Sequence, residues 1–171
     1  MKKLYKLLVF FVFVLFSTQI AFAQVKYDLA FPGILPDHPL YKIKVLRDKI
    51  TAVLINNPIK KTEFYLLQAD KGIHAAAMLV DKNEVELAKE TALKAENNMT
   101  LLTFELKKLR QRPDQSLFDK LKLASLKHQE VLSSKEKKVG KDDKKTFQQV
   151  INFSKTNLST IEMLEKKIYT R

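Results

Sequence analysis

The chain has 171 residues, with 31 basic residues against 19 acidic ones, a net charge of +12, three glycines and no cysteine. The lack of cysteine excludes a disulfide framework and lipid attachment at a signal-peptide cysteine. The scarcity of glycine argues against a glycine-rich phosphate-binding loop.

The first 23 residues have the layout of a secretory signal peptide. Lys2, Lys3 and Lys6 precede an apolar run at residues 7–16, and small residues at Ala21 and Ala23 suit a signal peptidase. We therefore predict cleavage near Ala23 and an extracytoplasmic mature protein, whether secreted, periplasmic or at the cell surface. The alternative is an uncleaved N-terminal anchor, which alone would place the protein on a membrane.

An extended lead-in is predicted at residues 24–38. Three of the five prolines fall between residues 31 and 40, and this density of proline would interrupt a helix. The first helix is predicted to begin near Pro39, capped by Asp37 or His38. Its apolar side consists of Leu40, Ile43, Leu46, Ile50, Val53 and Leu54. We expect this side to be buried, with the helix laid across one end or groove of the other helices.

The second helix is predicted at residues 58–80, with Asn57 as its cap and Pro58 in its first turn. Gly72 and the alanines that follow it predict a thin stretch where another helix approaches closely. The third helix, at residues 85–110, carries the longest apolar seam, with steps that alternate between three and four residues. The seam consists of Val85, Ala88, Ala92, Ala95, Met99, Leu102, Leu106 and Leu109.

The fourth helix is predicted at residues 115–134 after an Asp114 cap, and the fifth runs to about Tyr169, capped by Asp142 or Asp143. A charged break at residues 135–145 separates them. The sequence thus predicts an all-α protein: antiparallel hairpins forming a bundle of about five helices behind a signal segment. The mature chain should be over about 60% helical, well above the usual third.

No catalytic constellation is evident. Asp70 and His74 lie four residues apart on one helix, yet a metal site needs three or four ligands, and no further residue has ligand spacing. Nucleophile motifs are also lacking. We therefore expect no enzyme activity, no metal and no cofactor, and we expect His128 to be a core-edge histidine paired with a neighbour.

The densest basic patch lies in the break between the last two helices. Aromatic residues are not interleaved with it, so specific nucleic-acid binding is not supported. It is either a solvated loop or a binding surface for anionic membrane or wall polymers. The six lysines of this lysine patch are Lys135, Lys137, Lys138, Lys141, Lys144 and Lys145.

One stretch carries a family resemblance. The opening motif Pro39-Leu40-Tyr41 with Lys44, then Asn57-Pro58 and an alanine-rich helical run, resembles the bacterial domain of unknown function 5667. The similarity covers residues 34–110 and departs from the family at Lys71-Gly72. It implies a helical domain at 39–112. Residues 111–171 lie outside the resemblance, and the apolar pattern of residues 113–171 predicts a C-terminal helical hairpin packed on that domain.

The resemblance implies an extracytoplasmic helical module, and no activity or ligand carries over from the family. With the export signal, it predicts a non-catalytic interaction module at the cell envelope, binding an envelope protein or a second copy through helix packing. Polyanion binding through the lysine patch is one alternative. Another is a periplasmic chaperone of the Spy type, but residues 102–105 stop short of its Leu-Thr-x-x-Gln signature.

Overall fold

The computed structural model describes residues 24–170, which form five α-helices and contain no strand. The predicted all-helical architecture is confirmed, and the helices cover well over the predicted share of residues 24–170. The predicted signal segment lies outside the described residues. The helices are α1 (Tyr41–Leu54), α2 (Pro58–Asp81), α3 (Val85–Lys107), α4 (Gln115–Glu136) and α5 (Lys141–Tyr169).

Two predicted helix starts are confirmed. The side chain of Asn57 accepts hydrogen bonds from the backbone N–H groups of Ile59 and Lys60, at 2.9 and 3.1 Å, while Pro58 occupies the first helical position. Asp114 accepts one from the backbone of Ser116 at 2.8 Å. Both side chains accept hydrogen bonds from backbone N–H groups of the first turn, which have no partner within the helix.

Other helix ends differ from the predictions. Helix α1 begins at Tyr41, and its N-cap, Leu40, provides no side-chain cap. Asp37 pairs with Lys82 at 2.6 Å, and His38 Nδ1 accepts a hydrogen bond from the backbone N–H of Leu40 at 3.1 Å. Helix α3 ends at Lys107, three residues early. Helix α4 continues to Glu136, and Gly140 is the N-cap of α5, so Asp142 and Asp143 lie in its first turn. There they stabilise the positive end of the helix dipole without capping it.

Helices α2–α5 form two antiparallel hairpins packed side by side. In the first hairpin, Gly72 of α2 lies against Ala95 of α3. The turn between these helices includes Asn83 with a φ of 64°, a conformation that asparagine tolerates better than most residues. Helix α2 also packs against α4, and α3 packs against α5, which completes a four-helix arrangement.

The core has two apolar clusters at opposite ends of the bundle. The six central residues of the α3 seam are all buried and contribute to both clusters, which confirms the seam prediction. The first cluster includes Ile73, Leu79, Ala88, Ala92, Leu132, Phe147 and Val150. The second includes Leu66, Met99, Leu102, Leu106, Phe118, Leu121 and Ile161.

The lead-in packs on the bundle along α2 and α4. The backbone N–H of Val25 donates to Glu130 of α4 at 2.9 Å, and the Tyr27 hydroxyl donates to Asp70 of α2 at 2.6 Å. Leu29 packs against the first apolar cluster. The segment before the helices therefore contributes to the folded domain as a strap across two of them.

Gly72 allows α2 and α3 to approach closely, as the sequence predicts. A Cβ atom at this position would lie 2.6 Å from the Cβ of Ala95 and 3.3 Å from its Cα. Real Cβ atoms do not approach so closely, and the obstacle includes backbone that cannot rotate away. The lower helix propensity of glycine is offset here by the packing it permits.

We expect Leu102→Asp to destabilise the protein by several kcal/mol, because it places an unpaired carboxylate at a fully buried seam position. Thermal denaturation followed by circular dichroism would measure the loss. Leu93→Asp, at a 41% exposed position on the same helix, is the matched control and should cost much less. An unchanged melting temperature for the Leu102 variant would contradict the buried seam.

We expect Gly72→Ala to lower the free energy of unfolding by about 1–3 kcal/mol through overpacking, although alanine is the better helix former. Denaturant titration would measure the change. Adding Ala95→Gly to the same chain should recover part of the loss, since it removes the nearer of the two clashing atoms. A stabilised Gly72→Ala protein would show that the helices are further apart.

Candidate functional site

Helix α1 has two faces of different character. One face, with Tyr41, Val45, Asp48 and Ala52, borders a groove of about 760 Å³ on the α2–α3 hairpin. Lys44 joins this side to the lead-in, because its ammonium group donates to the carbonyls of Pro32 at 2.8 Å and Ile34 at 3.2 Å. These contacts fix which side of the helix turns inward.

The opposite face of α1 is apolar and exposed. We define this outer apolar face as Leu40, Ile43, Leu46, Ile50, Val53 and Leu54, with exposures from 51% for Leu40 to 75% for Val53. The prediction that this side is buried is wrong. Eight of the 15 exposed large apolar side chains among residues 24–170 lie between Phe31 and Leu54, so the exposure is concentrated in one segment.

Basic residues border the outer apolar face on both sides. At 100° per residue, Lys42 and Lys49 lie along one edge of the apolar stripe and Arg47 along the other. All three are exposed. Asp48, the one acidic residue of the helix, pairs with Arg47 at 2.8 Å. The outer surface of α1 is therefore apolar in the middle, with two lysines along one edge and an ion pair at the other.

The opening motif is divided between the two environments. Pro39 is exposed, and so is Leu40, which corrects the expectation that Leu40 packs on the α2–α3 hairpin. Tyr41 lines the groove, where burial raises the pKa of its hydroxyl. The Lys44 ammonium lies 5.3 Å from the Tyr41 ring centroid, a cation–π distance, and burial lowers the pKa of that lysine.

The groove beneath α1 is also cationic. Lys44, Lys49, Lys71 and Lys94 line it, and Asp48 is its one carboxylate. Its volume lies within the range of small-ligand pockets, but it is an open trough with Phe64 and Tyr65 on its hairpin side. Its positive charge adds to that of the α1 edges.

Part of the lysine patch is paired with an acidic residue, which the sequence alone does not show. Lys135 and Lys138 both pair with Asp81 at the end of α2, the latter at 3.0 Å. Lys137 lies in the α4–α5 turn, whereas Lys141, Lys144 and Lys145 belong to the first turns of α5. The patch therefore spans two helix ends and a short turn, and part of it fastens α4 to α2.

A buried polar network occupies the middle of the bundle. His128 of α4 is fully buried, with Nε2 2.9 Å from Asp70 of α2 and Nδ1 2.9 Å from Glu96 of α3. Asn157 of α5 donates to the second carboxylate oxygen of Glu96 at 3.0 Å. The Tyr27 hydroxyl completes the network on Asp70, so the strap and four helices meet at one histidine.

The geometry requires a protonated His128. A neutral imidazole has one N–H, which would leave its other nitrogen facing a carboxylate oxygen at 2.9 Å. Burial lowers the pKa of His128, but the hydrogen bonds and charges of Asp70 and Glu96 outweigh it and raise the pKa to about 9. Burial and the Asp70 carboxylate also raise the pKa of Tyr27.

The network is sealed from solvent and cannot reach a substrate, since its three charged side chains are at most 6% exposed. The carboxylates lie on opposite sides of the imidazole and do not converge on a point. Residues 24–170 contain no group of three or more ligands arranged for a metal ion. His74, considered with Asp70, instead contacts the Ala30 carbonyl at 3.3 Å and the ring of Phe31.

None of the helices in the described part of the chain is long and apolar enough to cross a membrane.

The sequence model of a family described as a domain of unknown function (DUF5667) matches residues 33–168. The chain belongs to this family. The resemblance predicted for residues 34–110 is thus confirmed, and the match extends beyond it to residue 168, which includes all but the last residue of the five helices. No curated protein and no solved structure showed significant similarity to the chain.

Sequence reasoning missed the network. The available signal was one polar residue at an inward position of each helix: Asp70 beside Ala69, Glu96 beside Ala95, His128 within the α4 stripe, and Asn157. Each alone reads as a surface or edge residue. Whether these four side chains come into contact depends on the axial register of each helix relative to its neighbours, which the sequence does not specify.

We expect the free energy of unfolding to fall as the pH rises from 6.5 to 9. Folded His128 keeps its proton up to about pH 9, whereas unfolded His128 loses it near 6.5, so stabilisation is complete below 6.5 and is lost through 9. At about 1.4 kcal/mol per pKa unit, the loss is about 3 kcal/mol.

Denaturant titrations at several pH values in this range would measure the slope. His128→Gln should abolish most of the slope and also destabilise the protein, because it leaves buried carboxylate charge unpaired. His74→Gln is the matched control and should keep the slope. A wild-type protein of constant stability between pH 7 and 9 would contradict the charged His128.

Proposed function

We propose that this protein is exported and acts at the cell envelope as a non-catalytic interaction module that binds through α1. The outer apolar face of α1 supports this role, because soluble monomers rarely expose large contiguous apolar patches without a binding function. Export is proposed from the signal-peptide layout of residues 1–23.

The non-catalytic part of the proposal rests on what the titratable groups do. The side chains of the central cluster, His128, Asp70 and Glu96, hydrogen-bond to one another and have no access to solvent. Its two carboxylates hold the histidine charged, which suits a structural role better than proton transfer. The exposed surface of α1, by contrast, offers apolar area and positive charge without any nucleophile.

Polyanion binding through the lysine patch is the second candidate. Lys137, Lys141 and Lys145 are exposed and favour it. Lys135 and Lys138 are paired with Asp81, which reduces the charge that the patch presents. Binding of this kind would weaken steeply between low and physiological salt, because the screening length falls to about 8 Å.

A pull-down from envelope extract would test the proposal. The bait is the chain from Gln24, beside a variant with Leu46→Glu and Ile50→Glu and a variant with all six patch lysines changed to glutamine. We expect the α1 variant to lose envelope binding and the lysine variant to retain it. Loss in the lysine variant alone would overturn the proposal in favour of polyanion binding, and no retention by the wild type would also overturn it.

A further inference from the structure

We infer that the outer apolar face of α1 docks on the surface of an anionic lipid bilayer. The inference rests on the proposed function and names its partner. Its first support is the pattern on the helix, an apolar stripe bordered by Lys42 and Lys49 on one edge and by the Arg47–Asp48 ion pair on the other. A helix lying in a membrane interface has this pattern, with apolar side chains below and cations at headgroup level.

The length of α1 suits an in-plane position. Its 14 residues extend about 21 Å at 1.5 Å per residue, which is too short for a hydrocarbon core of about 30 Å. A helix of this length buries its apolar face by lying parallel to the surface. The four-helix core remains intact in that arrangement, because the core clusters of residues 24–170 include none of the residues of α1.

Charge complementarity favours anionic headgroups. Helix α1 carries Lys42, Lys44, Arg47 and Lys49 against Asp48 alone. The groove behind it is lined by Lys71 and by Lys94, which pairs with Glu90 at 3.0 Å. Phosphate groups at a bilayer surface would face the edges of the helix, so attraction and apolar burial act in the same place.

Two other occupants fit the charges less well. A second copy meeting α1 face to face would place Lys42 and Lys49 opposite cations of the same kind, and the one acidic residue of the helix, Asp48, already pairs with Arg47. The N-terminal segment, residues 1–23, is apolar but carries three lysines and no acidic residue. Neither a second copy nor the N-terminal segment supplies negative charge complementary to the lysines that border the face.

Vesicle flotation tests the inference with the chain from Gln24, which contains every residue of the described core. The vesicles are phosphatidylcholine alone and phosphatidylcholine with one third phosphatidylglycerol. We expect binding to the anionic vesicles and much weaker binding to the neutral ones. Leu46→Glu with Ile50→Glu should lower the affinity at least about tenfold, since two large apolar side chains leave the interface.

The matched control is Leu123→Glu with Leu126→Glu, which makes the same kind of change on α4 at positions 40% and 41% exposed. This control should bind as the wild type does. Lys42→Gln with Lys49→Gln should weaken binding to anionic vesicles by about fivefold for each lysine at low salt. Thermal melts should show that the α1 variants stay folded.

A fluorescence measurement places the helix directly. The chain has no tryptophan, so Ile43→Trp gives a single reporter on the outer apolar face. Its emission should shift to shorter wavelength when anionic vesicles are added, whereas Leu123→Trp should show no shift. A reporter that stays in water while the protein floats with the vesicles would overturn the inference.

The remaining outcomes separate this inference from the proposed function. No binding to anionic vesicles at low salt, or undiminished binding by the Leu46→Glu and Ile50→Glu variant, would overturn it. If envelope extract binds through α1 while anionic vesicles do not, the proposed function stands and the lipid partner falls. If sedimentation shows a dimer that the same two changes abolish, and vesicles are not bound, the occupant is a second copy.

Discussion

The ion cluster at His128 is the constraint on which the register of the bundle depends. Asp70 and Glu96 reach the two imidazole nitrogens from different helices, and Asn157 joins from the fourth. Apolar clusters occupy the bundle on both sides of this layer. Sliding one helix by a turn would move a charge into an apolar layer, and removing one partner would strand another, so the network selects a single alignment.

The core forms without α1, and this explains the orientation of that helix. The two core clusters of residues 24–170 include no residue of α1. The side of α1 that faces the bundle therefore carries Tyr41, Lys44 and Asp48 beside small apolar residues. The lead-in carbonyls that bind Lys44 hold this orientation, and the more apolar side of the helix is left facing solvent.

The fold was predictable where local chemistry decides it. The seam around Leu102 and the caps at Asn57 and Asp114 follow from spacing and from hydrogen-bonding groups that lie within one turn. Periodicity reports that a helix has an apolar side, but it does not identify what covers that side, and this is why the burial of Ile50 was wrongly expected. The partners of His128 depend on interhelical register, which no single stretch of sequence contains.

The residues that stabilise the bundle and the outer apolar face lie in different parts of the molecule. The charged groups at the centre of the bundle are turned inward and contact one another, so they contribute little to the outer surface. Ile43 and Val53, by contrast, contribute nothing to the core clusters and remain exposed. A side chain on this face can change without a cavity or an unpaired charge appearing inside the bundle. Selection on the outer apolar face would therefore act on what it contacts, with little effect on whether the protein folds.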